Sequence, residues 1–286
     1  MYLRLIIFIC LTLSLNAFSK SSHSQANGWE LKYFKFNNTL IRSGIKKSKT
    51  LKPKGHVLYL EGLADSMLNH EKLFQAINEA GYHVVSFDYM GQGGSTGKMN
   101  NTTIASINEL AKLVWDKFVK SSEKKKIIGW STGGLAAYRY AYKYPNEVDS
   151  IILIAPGIAP KLLVGEMMKI TLASLTQVDY SYENNPHVDP IRPKSPLSVP
   201  LFSMNLLYTA KLSRSWKINP KVKGHVFLSD SVDTYVNPDL TLKVLEKNAS
   251  HFSSTYYENT GALHELDNET EEISSDLRQT VIDFLP

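Results

Sequence analysis

Residues 126–133 read Lys-Ile-Ile-Gly-Trp-Ser-Thr-Gly and place a serine between an apolar run and a helix-forming run. From Gly129 to Gly133 the pattern is G-x-S-x-G. This motif predicts a strand that turns sharply into a helix with the serine hydroxyl exposed on the turn, and the flanking residues are glycines because larger side chains would clash there. The helix N-terminus also favours negative charge that develops beside the serine. We therefore predict that Ser131 is a nucleophile; an ordinary turn with a serine N-cap is the alternative.

Apolar and amphipathic segments alternate along the chain around this motif. Short apolar runs bounded by turn-forming residues predict buried strands over 56–60, 83–87, 126–130, 150–155, 225–229 and 253–258. Helical spacing of apolar residues predicts helices over 68–80, 104–119, 132–144, 238–247 and 269–285. A predicted hairpin around Asn37-Asn38 precedes them. Strands that alternate with helices indicate an α/β fold with a mostly parallel central sheet and helices on both faces.

The alternation stops between residues 159 and 221, where prolines are frequent from residue 186 onward. We interpret this segment as an insertion that forms a cap over the top of the sheet. Its first part, residues 162–175, is apolar over several helical turns. Two interpretations of this apolar part stay open: a lid whose underside receives an acyl chain, and a small core packed on the main domain.

The first 19 residues have the features of a secretory signal peptide. A short positive region ends at Arg4, an apolar stretch runs from Leu5 to Phe18, and a cleavage site of small residues is predicted at Ser19. We predict a leader over 1–19 and a mature α/β domain over 20–286, either periplasmic or secreted; an uncleaved membrane anchor is the alternative. Cys10, the one cysteine, lies in the leader, so the predicted mature chain excludes disulfides and thiol catalysis.

Charge and composition narrow the classes of partner. The formal net charge is +5, and lysines cluster in residues 46–54 and 124–126. Without a basic helix or an aromatic-interleaved basic stripe, these clusters indicate solvated loops, so we predict no nucleic-acid partner and keep weak contact with anionic membranes as an alternative. Asp179, His187 and Asp189 are too loosely spaced among prolines to favour a metal site. We expect a small acyl substrate, no cofactor and no metal; the sequence does not specify the oligomeric state.

A nucleophilic serine requires a general base and an acid that orients the base. In this architecture the chain order is serine, acid, histidine, and the last two follow late strands. Asp233 follows the strand predicted over 225–229, and His264 follows the strand predicted over 253–258. Asp230 is the rival acid. The rival bases, which begin or precede strands and are more typical of structural or surface positions, are His83, His225 and His251.

Three segments match patterns of one known superfamily: Gly129-Trp-Ser-Thr-Gly133, Val232-Asp-Thr-Tyr-Val236 and Gly261-Ala-Leu-His-Glu-Leu266. They resemble the α/β-hydrolase superfamily, and within it the group of monoacylglycerol lipases, lysophospholipases and serine aminopeptidase-like proteins. The resemblance covers about residues 55–285, and the insertion resembles the group's cap domain in position only. It implies Ser131 as nucleophile, His264 as general base and Asp233 as acid.

The resemblance also implies an oxyanion hole built from the backbone N–H groups of Thr132 and Leu63. Glu61 departs from the group's pattern, which has a histidine at that position. A carboxylate so close to an oxyanion is unfavourable unless it is turned away or neutralised. Because the expected donors are main-chain groups, the hole can survive this change.

Residues 88–95 resemble the group's Asp-x-Arg-Gly-His-Gly-x-Ser element, with Met90 and Gln92 in place of the arginine and the histidine. We expect Asp88 to hold this loop structurally, and a role in shaping the substrate site is the alternative. The loop does not match the phosphate-binding glycine motifs, since Thr96 occupies the last glycine position of one of them.

Together these features predict a serine hydrolase that cleaves lipid-like carboxylic esters, of the monoacylglycerol or lysophospholipid type, through an acyl-enzyme on Ser131. Two alternatives stay open. A peptidase that releases N-terminal residues would need an acidic group for the α-amino group, and Glu61 and Glu166 are the candidates. The altered Glu61 and Gln92 motivate the other alternative, a noncatalytic binding protein that keeps the fold.

Overall fold

The computed structural model describes residues 28–119, 122–161 and 200–285. The predicted leader over 1–19 and the apolar part of the predicted cap over 162–175 lie outside these residues. Glu166 and the three residues weighed as metal ligands lie outside them as well. Of the predicted insertion, the two ends at 159–161 and 200–221 are described.

The strands of the described residues are β1 (Trp29–Phe36), β2 (Thr39–Lys46), β3 (Gly55–Leu60), β4 (Tyr82–Phe87), β5 (Lys125–Trp130), β6 (Val148–Ile154), β7 (Lys223–Leu228) and β8 (Ser253–Tyr256). They form one sheet in the order β1-β2-β4-β3-β5-β6-β7-β8. β1 pairs antiparallel with β2, and β2 pairs antiparallel with β4. The remaining neighbours are parallel, which confirms the predicted fold class.

The predicted hairpin at the start of the sheet is present and turns at two asparagines. Asn37 and Asn38 have φ angles of 45° and 61°. A two-residue hairpin turn of this kind requires positive φ at both central positions, and asparagine tolerates that conformation better than most residues. The local sequence therefore fixes the turn that places β1 at one edge of the sheet.

The helices of the described residues are α1 (Glu71–Glu79), α2 (Ile104–Phe118), α3 (Thr132–Lys143), α4 (Pro200–Ser213), α5 (Pro238–Asn248) and α6 (Glu271–Phe284). α1 begins three residues after the predicted start at residue 68. The delay has a local cause, because Ser66 accepts hydrogen bonds from the backbone N–H groups of Leu68 and Asn69 and holds a turn there. α4, inside the predicted cap, was not foreseen as a helix.

The hydrophobic core lies on both faces of the sheet, and alternate residues of β3 show this most directly. Leu58 and Leu60 pack in one cluster together with α2 and α3. Val57 and Tyr59 point to the other face and pack in a second cluster with α1 and α6. A strand that is buried on both faces has no polar side to show in its sequence, which explains the near-continuous apolar runs. In the described parts of the chain, no helix combines the length and apolar character needed to cross a membrane.

Candidate active site

The turn between β5 and α3 has the strained geometry that the motif predicts. Ser131 has φ 53° and ψ −113°, a left-handed conformation that is costly for a residue with a side chain. A Cβ atom on Gly129 would overlap the carbonyl group of Gly133, and one on Gly133 would overlap the carbonyl oxygen of Leu60. The two glycines therefore let the backbone pass close to itself while the serine stands at the top of the turn.

The structure brings Ser131, His264 and Asp233 together at the carboxyl edge of the sheet. His264 Nε2 lies 2.7 Å from Ser131 Oγ. His264 Nδ1 lies 2.9 Å from Asp233 Oδ2 on the other side of the ring. A carboxylate can only accept, so Nδ1 carries a proton and Nε2 is left to accept the serine proton. The arrangement suits a serine activated by an oriented general base.

Asp233 is buried, and four donors surround its carboxylate. Oδ1 accepts from the backbone N–H groups of Tyr235 (2.7 Å) and Val236 (3.2 Å). Oδ2 accepts from the hydroxyl of Ser229 (2.6 Å) in addition to His264. Burial raises the pKa of Asp233, but the attraction of His264 and these hydrogen bonds outweigh burial and hold that pKa below its usual value. The carboxylate is therefore ionised in the range where a histidine can act as base.

Asp230, the rival acid, faces a different part of the same loop region. Its Oδ2 accepts from the backbone N–H of Gly261 at 2.8 Å, and its Oδ1 accepts from the hydroxyl of Ser231 at 3.0 Å. These contacts connect the loop after β7 to the segment that precedes His264. Geometry thus gives Asp233 the contact with the histidine and gives Asp230 a bracing position.

The rival histidines lie elsewhere, each with its own partners. His83 Nδ1 accepts from the backbone N–H of Ser48 at 2.9 Å. His225 lies between the hydroxyls of Ser253 and Thr255, at 2.7 and 3.1 Å. For the third, His251, the ring Nε2 lies 3.0 Å from the carbonyl oxygen of residue 222. His83 and His225 therefore occupy structural positions, and His251 lies exposed at the surface.

Trp130 is a site residue that the sequence reasoning missed. Its indole Nε1 donates to the carbonyl oxygen of His264 at 2.9 Å, and its ring lies 5.6 Å from the imidazole ring. The indole thus links the segment that carries the nucleophile to the segment that carries the base. The motif treats this position as variable, so it gave no signal; the side chain is defined by a contact 134 residues away.

The two N–H groups predicted as an oxyanion hole belong to the residue after Ser131 and to the loop after β3. Thr132 begins α3, so its N–H has no acceptor within the helix. Leu63 lies in the loop after β3, directly before Ala64, whose φ is 63°. Within the described residues, neither of these two N–H groups donates a hydrogen bond. The loop passes so close to β5 that a Cβ atom on Gly62 would lie 2.5 Å from the ring of Trp130.

Glu61, which stands where the group has histidine, is buried and turned into the protein. Its Oε1 accepts from the backbone N–H of Tyr89 (3.1 Å) and from the side chain of Gln92 (2.7 Å). Burial raises its pKa well above the usual value, and the nearby charges of Asp88 and Asp65 raise it further. Burial therefore favours the neutral form of Glu61, which reduces the negative charge that a carboxylate would bring to the site.

Gln92, the other departure from the group's pattern, completes this arrangement. Its amide Nε2 donates to Glu61 and to the carbonyl oxygen of Gly62, both at 2.7 Å. Its Oε1 accepts from the backbone N–H of Ala64 at 3.0 Å. One amide side chain therefore holds the loop that carries Leu63 from both sides. The two departures make sense as a pair, because the amide of Gln92 hydrogen-bonds both to Oε1 of Glu61 and to the adjacent backbone.

Asp88 holds the glycine-rich loop, as expected. Its Oδ1 accepts from the backbone N–H of Met67, and its Oδ2 accepts from that of Gly94, both at 2.8 Å. Its cationic partner is Arg42 of β2, buried beside it. The positive charge that Met90 no longer supplies in the loop thus comes from a neighbouring strand. In the described residues, no cluster of side chains has the composition and spacing to hold a metal ion.

A family model described as "Serine aminopeptidase, S33" matches residues 51–196, which is just over half of the chain. The chain belongs to this family. The match includes β3, the turn at Ser131 and the loop at Asp88, the parts of the site that come first along the sequence.

Known lipase structures share the fold of this chain. A soluble variant of monoglyceride lipase from Saccharomyces cerevisiae has a TM-score of 0.72 at 16% identity, with 90% of this chain and 94% of that chain covered. The monoacylglycerol lipase of Paleococcus ferrophilus has a TM-score of 0.65 at 18% identity, with 86% and 98% covered. At these identities the likeness establishes the α/β-hydrolase fold.

Curated relatives match a shorter part of the hydrolase. Proline iminopeptidase PfmaB of Pestalotiopsis fici is 33% identical over 96 residues, which cover 33% of this chain and 33% of that protein. A pimeloyl-[acyl-carrier protein] methyl ester esterase of Proteus mirabilis is 36% identical over 81 residues, 24% of this chain and 30% of that protein. The hydrolase thus spans about a third of the length of the curated relatives it matches. One relative is named as a peptidase and the other as an esterase.

Proposed function

We propose that this hydrolase cleaves carboxylic esters through an acyl-enzyme on Ser131. The observation that carries the proposal is the continuous hydrogen-bonded series from Ser131 Oγ through the ring of His264 to Asp233, with contacts of 2.7 and 2.9 Å. His264 Nε2 takes the serine proton while the oxygen attacks the ester carbonyl. The N–H groups of Thr132 and Leu63 stabilise the oxyanion, and His264 then returns the proton to the leaving alcohol. Water activated by the same histidine releases the acid.

The proposed substrate has a lipid-like acyl chain or alcohol. α4 lies inside the predicted cap. Three of its apolar side chains are exposed to solvent, with exposed fractions of 61% for Leu201, 58% for Met204 and 63% for Tyr208. Large apolar side chains at this exposure suit contact with an apolar ligand or a lipid surface. The likeness to two monoglyceride lipases supports the same class of substrate.

The second candidate function is a peptidase that removes N-terminal residues. The family description and the iminopeptidase relative favour it. The surroundings of Glu61 argue against it, because an α-amino group requires an ionised acid. Burial raises the pKa of this carboxyl and favours its neutral form, and its Oε1 already accepts from Tyr89 and Gln92. The ester hydrolase is therefore the first proposal.

Labelling with a fluorophosphonate probe tests the nucleophile. The wild-type chain is expected to be labelled and the Ser131→Ala variant not. Ser150→Ala is the matched control, since Ser150 is a buried serine of β6 and not part of the proposed site. Absence of labelling in the wild type would support the noncatalytic binding protein instead.

Substrate panels separate ester from peptide hydrolysis. p-Nitrophenyl butyrate and octanoate are offered beside proline and alanine p-nitroanilides, with Ser131→Ala as blank. We expect turnover of the esters and a higher kcat/KM for the longer chain. Turnover of the anilides alone contradicts the ester proposal and supports the peptidase.

We also propose that the hydrolase is exported, with the leader over 1–19 removed. The support is the order of positive, apolar and small residues at the start of the chain. N-terminal sequencing of the protein recovered from the producing cells is expected to start near residue 20. A chain that still begins at Met1 in a membrane fraction supports the uncleaved anchor.

A further inference from the structure

A histidine outside the proposed catalytic residues is buried between two aspartates. His70 Nε2 lies 2.6 Å from Asp65 Oδ2, and His70 Nδ1 lies 2.6 Å from Asp267 Oδ2. All three side chains have no exposed surface. His70 directly precedes α1, while Asp267 belongs to a short turn three residues after His264. The histidine thus joins parts of the chain 197 residues apart.

Both ring nitrogens face carboxylate oxygens, so the geometry favours a ring with a proton on each nitrogen. Burial alone would lower the pKa of His70, but the charges and hydrogen bonds of Asp267 and Asp65 outweigh burial and raise it well above its usual value. Two further groups affect the balance of charge. Tyr59 packs on the ring at 4.8 Å and stays neutral because burial raises its pKa, and burial likewise raises the pKa of Glu61 and favours its neutral form.

Glu265 is the remaining acidic group of this region, and its charge acts on Tyr59. Its Oε1 accepts from the side chain of Asn268 at 2.7 Å, inside the loop after β8. The other neighbours of His70 are the uncharged rings of Phe74 and Trp130, at 5.9 and 5.4 Å. The two aspartates are therefore the groups that hydrogen-bond to the imidazole, and a protonated ring of His70 would carry the positive charge that lies between them.

The two aspartates belong to the two loops whose relative position decides the proposed chemistry. Asp65 lies two residues after Leu63, the expected oxyanion donor, and its Oδ1 accepts from the side chain of Asn69 at 2.9 Å. Asp267 lies three residues after His264, the expected base. A weaker bond between the same loops, from Asn268 Nδ2 to the carbonyl oxygen of Asn69, measures 3.4 Å.

Trp130 connects this buried histidine to the nucleophile. Its ring meets His70 edge-on at 5.4 Å and 61°, and its indole N–H donates to the carbonyl oxygen of His264. A shift of the imidazole of His70 would therefore displace Trp130, which precedes Ser131, and through it the backbone of His264.

We propose that His70 is a positioning residue that holds the oxyanion loop and the loop of His264 at a fixed separation, through Asp65 on one side and Asp267 on the other. The inference rests on the proposed function, since it concerns the same site. Charge-assisted hydrogen bonds in a dry interior are strong and directional, and removing the central cation takes away the cationic partner that the two buried carboxylates share. Displacements of about 1 Å in a catalytic arrangement cost on the order of 10²-fold in rate.

Three variants of the full chain separate positioning from simple stability. His70→Gln removes the cation, and one amide cannot donate to carboxylates on two opposite sides. The triple variant Asp65→Asn/His70→Gln/Asp267→Asn removes all the charges with nearly the same shapes, so no buried carboxylate is left unpaired. Asp267→Asn alone is the conservative variant, because its side-chain amide can still hydrogen-bond to the ring.

The readouts are kcat and KM for p-nitrophenyl butyrate, the rate of fluorophosphonate labelling, and folding by circular dichroism. We expect kcat to fall between about tenfold and 10²-fold in the triple variant and in His70→Gln, with KM little changed. Asp267→Asn alone should lose less. The control is His225→Gln, which replaces a buried histidine of β7 that lies between two hydroxyls and should keep the wild-type kcat.

A spectroscopic measurement on the wild-type chain does not depend on any variant folding. Nitrogen-15 NMR of histidine-labelled protein at pH 8 is expected to show both ring nitrogens of His70 protonated, with two downfield N–H protons. Absence of these signals overturns the inference, and so does a wild-type kcat in the folded triple variant. Failure of the wild-type chain to label at Ser131 contradicts the proposed function, and the role of His70 with it. Normal labelling combined with an unaffected triple variant contradicts the role of His70 alone.

Discussion

Replacing Asp233 by asparagine tests the proposed chemistry without changing the size or shape of this buried side chain. Oδ1 can still accept from the backbone N–H groups of Tyr235 and Val236, at 2.7 and 3.2 Å in the wild type. The new NH₂ group takes the place of Oδ2, which faces His264 Nδ1 at 2.9 Å and Ser229 Oγ at 2.6 Å. Because NH₂ donates, His264 must then accept at Nδ1 and carry its proton on Nε2.

A proton on Nε2 prevents this nitrogen from accepting the proton of Ser131. Loss of the correct histidine tautomer in a serine triad costs about 10⁴-fold in kcat, or roughly 5 kcal/mol of transition-state stabilisation. We expect a loss of this order for Asp233→Asn with KM close to the wild-type value. Since three of the four hydrogen bonds to this side chain have a replacement, the thermal midpoint should change little.

The assay is hydrolysis of p-nitrophenyl butyrate, with circular dichroism to show that the variant is folded. Asp230→Asn is the matched control, since Asp230 lies in the same loop and its hydrogen bonds go to Gly261 and Ser231. Its kcat should stay near the wild-type value. A folded Asp233→Asn variant with less than tenfold loss, or an equal loss in Asp230→Asn, refutes the assignment of the acid.

Three further outcomes are expected. Gly133→Ala should abolish soluble, folded protein, because the new Cβ would overlap the carbonyl oxygen of Leu60; soluble yield and circular dichroism check this. Glu61→Gln should increase the free energy of unfolding at pH 8 and change it little near pH 4.5. Because the pKa of this buried acid is raised in the folded chain, its ionisation favours the unfolded chain as the pH rises. Urea unfolding at pH 4.5 and at pH 8 measures the difference. Burial lowers the pKa of His225 to about 4, so the unfolded chain takes up the proton first and stability falls as pH drops from 6.5 towards 4. His225→Gln should reduce that loss in the same unfolding series.

The fold could be predicted largely from the sequence because β3, β5 and β6, the central strands of the parallel sheet, are buried on both faces. β3 and β5 read as short apolar runs for that reason, and the helices between them show their period clearly. The start of α1 was missed because it depends on a hydroxyl, that of Ser66, which holds a preceding turn. Helix propensity describes a segment by itself, so it does not show that a side chain outside the helix holds the preceding residues in a turn.

The candidate site could be predicted where chain order and local motif suffice. Ser131 is fixed by its own turn, and Asp233 and His264 follow from the strands that precede them. The contacts of Trp130 and His70 could not be predicted, because their partners lie 134 and 197 residues away. The sequence shows that Glu61 and Gln92 stand where the group has histidines. It does not show that the two side chains hydrogen-bond to each other, which is what explains the pair. Local pattern thus identifies the side chains that meet at the candidate site, and tertiary contacts identify what holds them.

β8 is the outermost strand of the sheet, paired on one side with β7, and the loop that follows it carries His264. Outer strands open more readily than central ones, because they give up fewer contacts when they detach. Ser131 follows β5, in the middle of the sheet. On gentle heating, the loop that carries His264 should therefore move away from Ser131 while most of the molecule is still folded. Activity of this hydrolase should fade several degrees below its melting transition and return on cooling.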